Sequence, residues 1–288
     1  MKPYRIPEIA QKYVDYDMIQ RHTELPAFPD PRIRLLFAFL NRQRFAAKHS
    51  ELYSLVVSLV QLGLDTHDMV DVEEAPLTLK DMRSRQLRIL AGDYFSSRFY
   101  QLLSQAGQIE MVGRLSEAIC EVNRMKTGLY VKAKQLNLTA EEYIVETARL
   151  KAGMFEGFAA LLEEKYVSNW PELLQTVCLC EAVRDELART DDRFTGSWGY
   201  WHVLENGNEE ERRLLTEHAE LQPAFIHSLS IKFDIRGKLT DKLHGCAEHL
   251  QSLARRLDSD KLAAELLQLK EKLLYPLSAT APTLTEMR

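Results

Sequence analysis

Glycine and proline are scarce in this chain of 288 residues, at 12 and 10. They are the residues that most often interrupt a helix, and no proline falls between Pro76 and Pro171. Pro7, Pro26, Pro29 and Pro31 crowd the start instead, which predicts an irregular opening segment. Cysteine is rarer still. Cys120, Cys178, Cys180 and Cys246 make no disulfide framework, which points to a reducing, cytoplasmic compartment. The chain also lacks a long apolar run. "LYSLVVSLVQLGL", residues 52–64, contains Ser and Gln, is too short to span a bilayer and predicts a buried helix. Positive charge is not in excess either, with 37 Lys and Arg against 42 Asp and Glu, well mixed. That excludes the basic face of a nucleic-acid binder. The opening residues, "MKPYRIPEIAQKYVDYD", show neither an apolar signal core nor an Arg/Ser-rich transit pattern.

What is present is helical spacing almost everywhere. "RLSEAICEVNRM" puts Leu115, Ile119 and Val122 on one face, and no stretch alternates apolar with polar as a strand would. Gly107 sits between two helical patterns, as a left-handed stop. Thr139 with Glu142 forms a capping-box pattern, and Pro171 fits the first turn of the next helix. The pattern predicts an all-α chain of about ten or more helices, read as one domain over 1–288. A helical subdomain over 205–288 is compatible with it, and 189–211 is expected to be a long loop or boundary.

"LDTHDMVDVEE" (64–74) sets Asp65, Asp68 and Asp71 at intervals of three, with His67 among them. At a helix end these carboxylates are either a metal site for a charged substrate or a solvated terminus. The stretch "LRILAGDYFSSRFYQLLSQAG" (87–107) follows, with Leu90, Gly92, Asp93, Tyr94, Arg98, Leu102, Leu103 and Gly107 in a distinctive order. Further on, "LTAEEYIVETARLKAGMFEGFAAL" sets Tyr143, Lys151 and Phe155 in register.

In order and spacing, residues 30–165 resemble the trans-polyprenyl diphosphate synthases. "ILAGDYFSSRFYQLL", "AICEVNRMKTGLY" and "LGLDTHD" are most similar to component 1 of the two-component heptaprenyl diphosphate synthases. The resemblance implies a helical bundle of the isoprenoid-synthase type. It also implies a small, motif-poor subunit beside a large catalytic one that makes the menaquinone side chain. In that chemistry Mg²⁺, held by carboxylates, ionises an allylic diphosphate.

The family's D-D-x-x-D motifs are degraded here. Aligned on its last aspartate, the first reads His67-Asp68-Met69-Val70-Asp71, with an imidazole where Mg²⁺ requires oxygen. Asp65 lies about 200° round the helix from His67 and does not replace the missing carboxylate. Asp68 and Asp71 remain as a degenerate metal site. For the second motif, "RDELA" puts Arg184 first and Ala188 last, while "DDRFT" has Asp191 and Asp192 but Thr195 in fifth place. The phosphate loop expected as G-G-K-R reads "AFPDPRIRLL", leaving Arg32 and Arg34 as phosphate partners or as helix-start residues. Lys151 keeps the lysine of a K-T pair, as a diphosphate ligand or as a lysine reaching for solvent.

Other patterns carry less. His244, Cys246 and His249 of "HGCAEH" point apart on a helix, and "CLC" (178–180) fits core packing. "TGSWGYWHVL" reads as an aromatic plug or an interface anchor. Leu262, Leu266, Leu269 and Leu273 form a heptad-like seam, for a partner helix or for the chain's own core.

The leading expectation is a non-catalytic, cytoplasmic subunit, free or peripheral at a membrane, with no integral segment. It meets allylic and isopentenyl diphosphates through the complex, and Mg²⁺ belongs to the large subunit. Two other readings stay open: a self-sufficient divergent prenyl synthase or terpene-cyclase-like enzyme, and an apolar-ligand carrier or scaffold.

Overall fold

The structure, a computed structural model, describes residues 2–15, 19, 23–70, 78–189, 193–217 and 221–278. Every regular element among them is a helix. In chain order these are α1 (Ile6–Val14), α2 (Asp30–Leu40), α3 (Ser50–Asp68), α4 (Leu79–Gln105), α5 (Ile109–Lys134) and α6 (Ala140–Glu156). There follow α7 (Glu164–Val167), α8 (Trp170–Leu187), α9 (Trp198–Asn206), α10 (Glu209–Glu217), α11 (Pro223–Lys232), α12 (Ile235–Arg255) and α13 (Asp260–Ser278). The proline-free stretch accommodates α4 and α5, of 27 and 26 residues. No helix among the described residues is long and apolar enough to cross a membrane.

The helix ends are written in the sequence. Gly107 adopts φ +68° after α4, and the Gln108 N–H returns to the Leu103 carbonyl, a Schellman stop that glycine fits without strain. Thr139 and Glu142 exchange hydrogen bonds at the start of α6, as the capping-box spacing predicts. A second box, Thr78 with Asp81, opens α4. Pro171 stands in the first turn of α8.

The fold divides into two compact units, to which α5 and α6 each contribute residues. Unit 1 comprises 1–120 and 154–169, unit 2 comprises 121–153 and 170–288.

In unit 1, α3 is buried on nearly every face, packed by α1, α2 and α4. This is the apolar run that is too short for a bilayer. Two of its buried hydroxyls return to the helix backbone, Ser58 to the Leu55 carbonyl and Thr66 to that of Leu62, so they cost little to bury. α3 and α4 approach closely at two glycines. A Cβ on Gly63 would lie 2.8 Å from the Gly92 carbonyl oxygen, and one on Gly92 would lie 2.7 Å from the His67 ring.

Unit 2 is centred on α8 and α12, with α13 laid along α12. Leu262, Leu266, Leu269 and Leu273 are all buried, so the leucine seam serves the chain's own core and leaves nothing for a partner helix. At about 1.5–3 kcal/mol for each buried side chain, that seam is a principal stabiliser of the unit. Cys178 and Cys180 are core residues, as the "CLC" reading expects. The stretch 189–211 differs from its expectation as a loop. Ser197 caps α9 by accepting from the Tyr200 N–H, and Trp198, Tyr200 and Trp201 are buried, an aromatic plug folded as a helix.

Candidate functional site

The two positions expected to hold aspartate-rich motifs lie at the end of α3, in unit 1, and at the end of α8, in unit 2.

On α3, Asp65 and His67 are each engaged within unit 1. The Gln61 amide donates to Asp65 at 2.7 Å, and Asp68 is exposed on the last turn. His67 faces the other way, across Gly92, and its Nε2 lies 3.3 Å from Asp93 Oδ1 on α4. The C-terminal carbonyl of Met69 accepts from Arg88 at 3.1 Å. Asp71 lies outside the described residues. His67 and Asp68, adjacent in the degenerate motif, are therefore not aimed at one point, and the imidazole is engaged between the helices. Asp93, in the "GDY" triplet, is a partner the motif alignment does not nominate.

On α8 the carboxylates are enclosed by cations and donors of the same unit. Lys151, on α6, reaches Asp185 Oδ2 at 2.7 Å, and Arg184 Nη2 stands 3.7 Å from the other oxygen. Glu186 is buried. Its Oε1 accepts from the Tyr143 hydroxyl at 2.9 Å and lies 3.2 Å from Arg189 Nε, while its Oε2 accepts from the Trp198 backbone N–H at 2.7 Å. Burial first, and then the Glu186 charge, push the Tyr143 phenol above its ordinary value, which keeps it protonated and donating. One buried carboxylate thereby links α6, α8 and α9.

These groups do not fit a magnesium ion. Mg²⁺ requires several free oxygens in near-octahedral array, whereas both Glu186 oxygens and both Asp185 oxygens face cations or N–H and O–H donors already in place. Among the described residues no group of three or more His, Cys, Asp or Glu side chains is placed to hold a metal.

The remaining candidates are dispersed. Arg32 is buried, its guanidinium 5.8 Å from the Phe155 ring centroid. Arg34 lies 4.3 Å above the Tyr4 ring and 3.9 Å from Asp30, which also accepts from the Tyr4 hydroxyl at 2.6 Å. Both arginines thus pack at the start of α2. His249 pairs with Glu172 at 3.3 Å, apart from Cys246, which lies in the core. Asp191 and Asp192 lie outside the described residues. Sequence spacing alone gives no sign of the Glu186 cluster, because Tyr143 and Trp198 lie 43 and 12 residues away.

Comparison with known proteins adds to this geometry. The family model described as heptaprenyl diphosphate synthase (HEPPP synthase) subunit 1 matches residues 16–199. Over 87 residues the chain is 36% identical to heptaprenyl diphosphate synthase component 1 of Geobacillus stearothermophilus, a match spanning 30% of this chain and 37% of that protein. Among solved structures, a decaprenyl diphosphate synthase from Rhodobacter capsulatus superposes with TM-score 0.67 at 14% identity, covering 94% of each chain. A geranylgeranyl pyrophosphate synthase from Lactobacillus brevis, complexed with citrate, does so with TM-score 0.70 at 14% identity and the same coverage. A heptaprenyl diphosphate synthase from Staphylococcus aureus gives 0.66 at 13% identity, covering 93% of this chain and 95% of that one. At such identities these structures establish the fold alone, that of the polyprenyl synthases.

Proposed function

The chain belongs to the heptaprenyl diphosphate synthase subunit 1 family, and we propose that it works as the non-catalytic subunit of a two-subunit trans-polyprenyl diphosphate synthase. In this reading a large partner subunit holds the Mg²⁺ and both diphosphate substrates. The complex elongates farnesyl diphosphate with isopentenyl diphosphate toward a heptaprenyl chain, the precursor of a menaquinone side chain. The complex is cytoplasmic and peripheral to the membrane, where so apolar a product ends.

The observation that carries the reading is the enclosure of Asp185 and Glu186. An organic cation or a donor faces each carboxylate oxygen where a second metal motif is expected. Converting Glu186 to a metal ligand requires breaking a buried network, at a cost of about 3–5 kcal/mol. The fold is kept while the chemistry is built out of it.

The surface of α4 supports a partner. Leu79, Met82, Ile89, Leu90 and Tyr100 are exposed on the stripe opposite its buried Ala91, Phe95, Phe99 and Leu103. An apolar stripe of this length on a 27-residue helix is the signature of an interface. Sedimentation of this chain with the large subunit encoded by the same organism tests the reading. A stoichiometric complex is expected, and Leu90→Asp should weaken it by roughly tenfold or more without unfolding the chain. Independent sedimentation of the two chains contradicts the subunit role.

A further inference from the structure

The turn joining α2 to α3 carries a surface feature that assembly with a catalytic subunit leaves unexplained. Phe45 stands on this turn with 79% of its surface exposed, the most of any large apolar side chain among the described residues. Beside it opens a cavity of about 660 Å³, within unit 1, between the turn and the segment after α6. Phe45 and Leu161 are among its apolar lining, and Arg44, Lys48, His49 and Glu163 among its polar lining.

The turn is fastened at its base. Gln43 is buried, donating to the Phe39 carbonyl at 2.9 Å and accepting from the Glu163 N–H at 2.8 Å, which ties the turn to the far wall. Asn41 donates to the Lys2 carbonyl at 2.8 Å. Tyr53 closes the floor by donating to Gln108 at 2.5 Å. Phe45 is thus displayed on a braced turn.

The rim is cationic. The Arg44 guanidinium lies 5.6 Å from the Phe45 ring centroid, and neither Arg44 nor Lys48 has a carboxylate partner among the described residues. The neighbouring carboxylates are taken, Glu51 by Lys2 at 2.9 Å and Glu163, across the cavity, by Lys165 at 3.4 Å. Burial, then Lys48 and Lys2, lower the His49 pKa, which registers the positive potential of the rim. Ile109, exposed next to Gln108, extends the apolar margin. An exposed aromatic between uncompensated cations is complementary to one kind of surface, anionic phosphate above hydrocarbon.

We propose that this turn docks the protein onto anionic phospholipid membranes. Phe45 enters the boundary between headgroups and acyl chains, and Arg44 and Lys48 bind lipid phosphates at the cavity mouth. The inference deepens the peripheral placement proposed above and rests on it, but it requires no catalytic partner.

The test is cosedimentation of the full chain with vesicles of phosphatidylcholine, with or without about one-third phosphatidylglycerol. The chain is expected to bind the anionic vesicles only, and to be released at about 0.5 M salt. Arg44→Gln with Lys48→Gln should weaken binding about thirtyfold, at roughly fivefold for each charge. Phe45→Ala should weaken it about fivefold. All three residues lie on the surface, so unchanged circular dichroism and Tm will establish that the variants fold. If the chain binds and the variants bind equally well, the peripheral placement stands and this surface is wrong. If the chain does not bind, this surface is wrong, and cosedimentation of its complex with the large subunit decides the peripheral placement separately. Displacement by inorganic phosphate, but not by chloride at equal ionic strength, would mark a free-phosphate pocket and overturn the lipid assignment.

Discussion

The ends of α3 and α8, the two positions where the resemblance implies aspartate-rich motifs, treat their carboxylates in opposite ways. On α3 Asp65 accepts from Gln61 and Asp68 is exposed, and the helix is fixed by shape, where Gly63 and Gly92 let α4 come close. On α8 the carboxylates have partners in the scaffold, the half-exposed Asp185 in Lys151 and the buried Glu186 in Arg189, Tyr143 and the Trp198 N–H. One end keeps its described acids near the surface, the other has their charge met by the scaffold. Exposed acids impose no structural penalty and drift, whereas buried acids survive only by acquiring partners.

Substitution should separate the two ends. Glu186→Ala is expected to have the largest effect. It strands Arg189, Tyr143 and a buried backbone N–H, and should cost about 2–4 kcal/mol in denaturant unfolding. Gly63→Ala comes next, at about 1–3 kcal/mol. The gain in helix propensity, about 1 kcal/mol, is outweighed because the new methyl meets backbone atoms that cannot rotate away. Gly92→Ala meets the His67 ring instead. It should cost about 1 kcal/mol, and most of that should vanish when His67→Ala is added in a double-mutant cycle. Lys151→Ala breaks a partly exposed ion pair and should cost about 1 kcal/mol or less. Asp68→Ala, on an exposed last turn, should fall within about 0.5 kcal/mol. A reversal of the Glu186 and Asp68 effects would undo the contrast.

Much of this fold is legible in local sequence because its helix ends obey local chemistry. Gly107, the Thr139–Glu142 pair and Pro171 each mark a boundary within a few residues, and the structure places a boundary at each. The leucines from 262 to 273 announce a buried seam but not its occupant, since a heptad reads alike for a partner helix and for α12. The stretch 189–211 misleads for a related reason. Its glycines and charges suggest a loop, while the α9 helix depends on Ser197 and on three aromatics that find a core. The site is legible in one sense only. Broken motifs are visible in the sequence, but what replaced them is not, because Lys151 and Asp185 are 34 residues apart and meet only in the folded chain.

The central claim is that this chain supports prenyl elongation without performing it. The most direct measurement gives farnesyl diphosphate, labelled isopentenyl diphosphate and Mg²⁺ to this chain alone, to a large subunit alone, and to the two together. The account predicts long-chain product in the mixture and none from this chain. Mg²⁺-dependent elongation by this chain alone, abolished by Asp68→Ala, would contradict it.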